Sequence, residues 1–388
     1  MKTGFFAIVM RSLRQLASRR LYWYAIFFLP IGLGFFLTSL MDSGLPMKAP
    51  TAIVDKDHTH LSRQVTQTLD GMELVRITKA CDSYSAAMDK LREGEVFGFF
   101  LIPENYEADL LAGRSPVISF YTNMTYFVPG TLVYKNFKTT AVYTKAGVVL
   151  QVIQTGTGAT PQEIAPILNP VSIQGRPLNN PWLNYSYYLS NSFIPGVLQL
   201  MVMLLTCYTL GEEIKQRTSL QLMRMAGGSI LKAVTGKLLP QTLIWFAIAM
   251  LMEAWLFGFN GFPLNGSTLW MTLNTLMLVL ASQGFALFVF CLLPNLRFSV
   301  SICSLTGILT FSLAAYSFPV ESMYGGVAVF SWMMPVRYYF LIYIDQALNG
   351  IDIWYSRWYF VAYFIYFFAP LLLLWRVKKA FNNPVQVP

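Results

Sequence analysis

Six apolar runs, each close to the length of a bilayer-crossing helix and nearly free of charge, dominate this chain at 21–40, 189–211, 238–258, 268–293, 298–318 and 356–376. A helix rises 1.5 Å per residue, so about 20 residues cross the hydrocarbon layer, where only helices or closed barrels satisfy their own backbone. The expected fold is a polytopic α-helical membrane protein with six transmembrane helices. Composition agrees, since only 12% of the residues are charged, against about one-quarter in a soluble domain. The first run exceeds the roughly 7–15 apolar residues of a signal peptide and reads as an uncleaved anchor.

Residues 42–188 break the pattern. They carry 12 Lys/Arg against 13 Asp/Glu and have ordinary globular composition. Within them a β-branched strand pattern at Thr51–Asp55 is followed by helical sequence over 60–70, a strand at Glu73–Thr78 and a helix at Ser83–Glu93. An apolar strand at Val96–Ile102 comes next, then a helix at Glu104–Ala112 capped by Gly113, and a strand at Val117–Tyr121. This alternation predicts a small α/β domain with a partly parallel sheet. A long helix over 127–155 and a linker with Pro161, Pro166, Pro170, Pro177 and Pro181 lead back to the membrane. The domain is therefore an insert between transmembrane helices 1 and 2.

The net charge of +9 is a topology signal. Lys2, Arg11, Arg14, Arg19 and Arg20 precede the first span. Lys215, Arg217, Arg224, Lys232 and Lys237 lie between the second and third, Arg297 between the fourth and fifth, and Arg376, Lys378 and Lys379 after the last. The positive-inside rule puts all of these in the cytoplasm, with both termini inside and residues 42–188 outside, and needs no nucleic acid. Residues 1–20 read as an amphipathic interfacial helix, with Phe5, Ile8, Val9, Leu13 and Leu16 on one side and Arg11, Arg14, Gln15 and Arg19 on the other. The segment 319–355, apolar but broken by Gly325, Gly326, Pro335 and Gly350, reads as a re-entrant hairpin from the outside, and 377–388 as a cytoplasmic tail.

Chemistry-bearing residues are sparse. Glu253 is the only acidic residue inside any of the six runs, a candidate cargo contact or an interface carboxylate satisfied by polar neighbours. His58 and His60, near Asp55 and Asp57, suggest either a metal pair or a solvated turn, and no spacing supplies further ligands. Cys207, Cys291 and Cys303 lie in spans as small buried thiols, and Cys81 has no cysteine to pair with in its domain. No phosphate-binding loop or nucleophile motif occurs, so catalytic residues, a bound cofactor and a metal site are not expected. Proton- or sodium-driven transport would need coupling groups at mid-membrane that the runs lack. The loop 212–237, with a Leu/Met stripe at Leu220, Leu222, Met223 and Met225, fits a docking helix for a soluble partner or a connector lying on the membrane.

Several pieces resemble the permease subunit of type-2 ABC transporters (ABC-2 type), in the subgroup with a large extracytoplasmic domain. Residues 94–113 (GEVFGFFLIPENYEADLLAG) look like that subgroup's outer-domain signature. Glu213 and Thr218 are similar to the Glu and Thr of the family's Glu-x-x-x-Gly-Thr connector, with Arg217 where Gly is usual. Gly236, Lys237 and Pro240 match its Gly-Lys-x-x-Pro, and Phe318, Pro319, Met323, Pro335 and Gly350 follow its pattern before the last span, with Tyr324 where Pro is common. The resemblance covers essentially the whole chain. It implies a half-transporter of the bacterial inner membrane that pairs with a second permease, as a homo- or heterodimer, and docks a cytoplasmic ABC ATPase that carries ATP and Mg. Glu213, Arg217, Thr218, Leu222, Arg224, Gly236, Lys237 and Pro240 would form the coupling connector. Related members work beside periplasmic adaptor proteins and outer-membrane channels and move drugs, which implies export of amphipathic or lipid-like cargo. The competing expectation is a membrane scaffold or receptor whose outer domain binds a protein.

Overall fold

The computed structural model describes residues 4–40, 48–112, 114, 116–126, 128–142, 179–180, 184–314, 316 and 318–384. The chain divides into two compact units, Met1–Gly44 with Pro177–Pro388, and Leu45–Arg176. It opens with α1 (Phe5–Ser18) and the apolar α2 (Arg20–Leu40), both in the first unit.

The second unit follows in sequence. Its elements are β1 (Ala49–Asp55), α3 (His60–Asp70), β2 (Val75–Ala80), α4 (Tyr84–Arg92), β3 (Gly98–Ile102), α5 (Tyr106–Leu111), β4 (Ser119–Thr122) and α6, helical over 128–142. The strand order is β2-β1-β3-β4, with β1 parallel to both neighbours and β4 antiparallel to β3. This is the partly parallel α/β arrangement the alternation predicts. Side chains two apart share a face. Ile53, Phe100 and Ile102 pack with Leu61, Val65 and Leu69 of α3 and with Val133 and Phe137 of α6. Ala52, Val54 and Phe99 face Ala87 and Leu91 of α4. Helix α3 starts where it does because Thr59 and Ser62 exchange side-chain-to-backbone bonds in a capping box. The expected extension of α6 to 155, the cap at Gly113 and the proline linker lie outside the described residues.

The first unit resumes with α7 (Tyr185–Lys215), α8 (Ser219–Met225), α9 (Ile230–Phe259), α10 (Thr268–Leu292) and α11 (Leu296–Leu313). A short 3-10 turn at Val320–Ser322 leads to α12 (Gly325–Trp332), α13 (Pro335–Asn349) and α14 (Ile353–Asn382). Among the described residues six helices (α2, α7, α9, α10, α11 and α14) are long and apolar enough to cross a membrane. Helices α7 and α10 are central, each with 72% of its apolar window buried, while α2, α11 and α14 bury only 28%, 22% and 28%. Small residues set the closest approach: a Cβ on Gly196 of α7 would stand 2.7 Å from the Phe311 ring of α11.

Helices α7 and α9 run further than the apolar runs, so Glu213 and Lys237 at the two ends of the 212–237 segment are helical. The segment 319–355 is broken as expected: α12 and α13 are bent by 82° at the break, a geometry that a re-entrant hairpin and a broken span share. Pro335 opens α13 at its first turn, where its missing N–H costs nothing, and Gly350 ends it at φ 61.

Candidate functional site

Charged side chains that the sequence distributes between the N-terminal helix and the loop 212–237 converge at one place in the first unit. The end of α7 creates it. Thr218 N–H donates to the Glu213 carbonyl at 3.0 Å and Arg217 N–H to the Ile214 carbonyl at 3.1 Å, the paired bonds of a Schellman cap. That cap requires a left-handed residue after the helix, and Arg217 takes it at φ 57. The position where the resembling family has Gly is thus a left-handed one, and Arg217 carries the Cβ penalty there.

The cap turns the Glu213 carboxylate, 1% exposed, into a polar cluster. Lys237 Nζ of α9 donates to its Oε1 at 2.5 Å, and Arg11 Nη2 of α1 to its Oε2 at 2.9 Å. Thr218 Oγ1 donates to Oε2 at 2.6 Å, and Gln15 bridges, with its Oε1 accepting from Lys237 Nζ at 3.1 Å. Beside it, Glu212 accepts from Arg19 and from the Tyr22 hydroxyl at 2.6 Å. A buried carboxylate is tolerable only when its charge and lone pairs are matched in this way. Gly236 makes room for the approach: a Cβ there would stand 3.0 Å from Ile8 of α1. Pro240, one turn on, is buried within α9.

This rearranges the expected roles. Glu213, Thr218, Gly236 and Lys237 do come together, and so do Arg11, Gln15, Arg19, Glu212 and Tyr22, which sequence reasoning left out of the site. The sequence pattern puts Arg11, Gln15 and Arg19 on the watery side of an interfacial helix. Instead they turn to Glu213 and Glu212, because Ile8, Ser12 and Leu16 are the buried stripe of α1 and Arg11 and Gln15 lie next to it. The only signal in the sequence is the pair of acidic residues, Glu212 and Glu213, among so many cations.

The connector is fixed on several sides. Gly4 N–H reaches the Met225 carbonyl at 3.1 Å, and Ser219 Oγ reaches the Phe381 carbonyl of α14 at 2.9 Å. Leu222, Met223 and Met225 enter the chain's own core, so this part of the stripe offers nothing to a partner. Its outward face is instead Arg217, Leu220 and Arg224, at spacings of three and four.

The other candidates sit apart. Glu253 is buried in α9 and accepts from Thr275 Oγ1 of α10, with no cationic partner among the described residues. Pro319 and Met323 flank the 3-10 turn. Gly350 closes α13 near Asn265, whose N–H donates to the Ala347 carbonyl at 2.7 Å. In the second unit, Asp55 accepts from the His58 N–H at 3.1 Å and the Ser62 hydroxyl at 2.7 Å, while Asp57 accepts from the Glu107 N–H at 3.0 Å. Both carboxylates therefore serve turns and helix starts.

Residues 20–374 match the sequence profile described as ABC-2 family transporter protein. No curated protein matches the chain.

Proposed function

The chain belongs to the ABC-2 transporter family, and on that premise we propose that it is the permease subunit of an ATP-driven exporter. In this reading it lies in the bacterial inner membrane with both termini in the cytoplasm and the sheet-bearing unit outside. A second permease subunit pairs with it, and a separate cytoplasmic ATPase binds the Arg217–Leu220–Arg224 face. The apolar, aromatic spans suit amphipathic or lipid-like cargo, with Glu253 available to contact it and a periplasmic adaptor and outer-membrane channel continuing the path.

One observation carries the reading. Glu213 bonds at once to α1 through Arg11, to the turn before α8 through Thr218, and to α9 through Lys237. A push on the exposed face of α8 therefore moves α1 and the ends of α7 and α9 as one body, since breaking it free means stranding a buried charge. That is the mechanical requirement for a permease with an external motor. The test is co-purification of a cytoplasmic ABC ATPase expressed together with this chain, using Arg217→Glu with Arg224→Glu. Loss of the complex, with the same elution profile for the permease alone, supports the contact, and retained binding with unchanged ATP hydrolysis refutes it.

A further inference from the structure

We propose that a groove of about 1220 Å³ between the end of α7, the α10–α11 turn and the end of α14 binds an anionic phospholipid of the surrounding leaflet. Four cations line it: Lys215, Arg297, Arg376 and Lys379, with no acidic residue among the lining side chains. None of the four has an ion pair, or a side-chain hydrogen bond, among the described residues. The acidic pair on the same stretch of α7, Glu212 and Glu213, is already occupied by Arg19, Arg11 and Lys237.

The rest of the lining is apolar. Phe298 and Trp375, 59% and 63% exposed, continue the groove onto the outward surface of α11 and α14, two of the least buried candidate spans. Cations at the end of the spans beside an open apolar wall match a phosphodiester headgroup with its acyl chains lying along the helices. A soluble anion would satisfy the cations and leave the wall bare. A second copy of this chain seated there around a two-fold axis would set cations against the same cations. The proposal is independent of the ATPase contact, because it needs only that the chain be embedded in a bilayer.

The test uses the full chain purified in dodecyl maltoside, with phosphatidylglycerol titrated in and retained lipid counted by native mass spectrometry. Arg297→Gln with Arg376→Gln should lower phosphatidylglycerol affinity by a factor of roughly 10 to 30, at about one strong surface attraction per cation. Arg14→Gln with Lys378→Gln removes the same charge away from the groove lining and should leave affinity within about twofold. Lys379→Gln, at an exposed site, gives a second groove variant should the first pair misfold. Phosphatidylcholine of the same chains should bind wild type and variants alike. Equal losses in the groove and control pairs would overturn the proposal. So would displacement of the lipid by glycerol 3-phosphate at matching concentration, which would make the site one for a soluble anion. Loss of ATPase co-purification in the groove pair with lipid retention unchanged would assign the surface to a protein partner and equally overturn it.

Discussion

Replacing Glu213 by Gln keeps the shape of the side chain and removes the charge that three helices share. Lys237 is 3% exposed, so it cannot rehydrate without moving α9, and it is left with no counter-ion. Breaking a buried pair from one side costs about 3–5 kcal/mol. Arg11 has a side chain 15% exposed at the edge of the cluster and can swing to water, adding only about 0.2–1 kcal/mol. Lys237→Met is milder, because Glu213 keeps Arg11 at 2.9 Å and the Thr218 hydroxyl at 2.6 Å. Its cost should be about 1–3 kcal/mol, that of one lost charged hydrogen bond with some desolvation. In the double variant neither charge is stranded, so the two effects should fall short of additive by about 2 kcal/mol or more. The assay is a double-mutant cycle by SDS titration from dodecyl maltoside micelles, followed by tryptophan fluorescence. A Glu213→Gln cost below about 1 kcal/mol, or additivity within about 0.5 kcal/mol, would refute the view that Lys237 depends on Glu213.

Other consequences are independent of that cycle. Arg217→Gly should stabilise the chain by about 0.5–1 kcal/mol in the same titration, since Gly adopts φ 57 without the Cβ clash but adds unfolded-state entropy; Arg217→Val should destabilise it. Gly236→Leu should unseat α1, because even a Cβ would stand 3.0 Å from Ile8, and a cysteine at Ser12 should then react with maleimide about tenfold or more faster than in the wild type; unchanged labelling would show that α1 packs elsewhere. A cysteine at the exposed Gln64 should label from outside intact cells and one at Asn383 should not, if the positive-inside reading holds. Export should survive collapse of the proton and sodium gradients while ATP is held, and Glu253→Gln should at most alter cargo affinity. Abolition by both treatments would make Glu253 a coupling group.

The sequence alone determined the elements whose causes are local. A run such as 268–293 must become a helix because its backbone has no other way to be satisfied in lipid, and length with hydropathy reports that directly. The insert was legible for a similar reason: the β-branched stretch ending at Asp55, the Thr59 cap and the apolar run ending at Ile102 each state their own conformation. The left-handed site at Arg217 could be suspected only from the family's Gly. What tertiary structure decided was the company each charge keeps. Arg11 and Glu213 stand 202 positions apart, and Lys237 lies 24 beyond Glu213. Nothing in the composition around Arg11 separates it from Arg14, which stays exposed. The rotation of α1 that buries Ile8 against Gly236 selects one arginine and not the other. It also reverses the sense of Leu222, which reads as a docking residue in sequence and is a core residue in the fold. Helix existence is set by short-range backbone bonding, which periodicity records; pairing across helices is set by packing and desolvation, which a linear pattern does not contain.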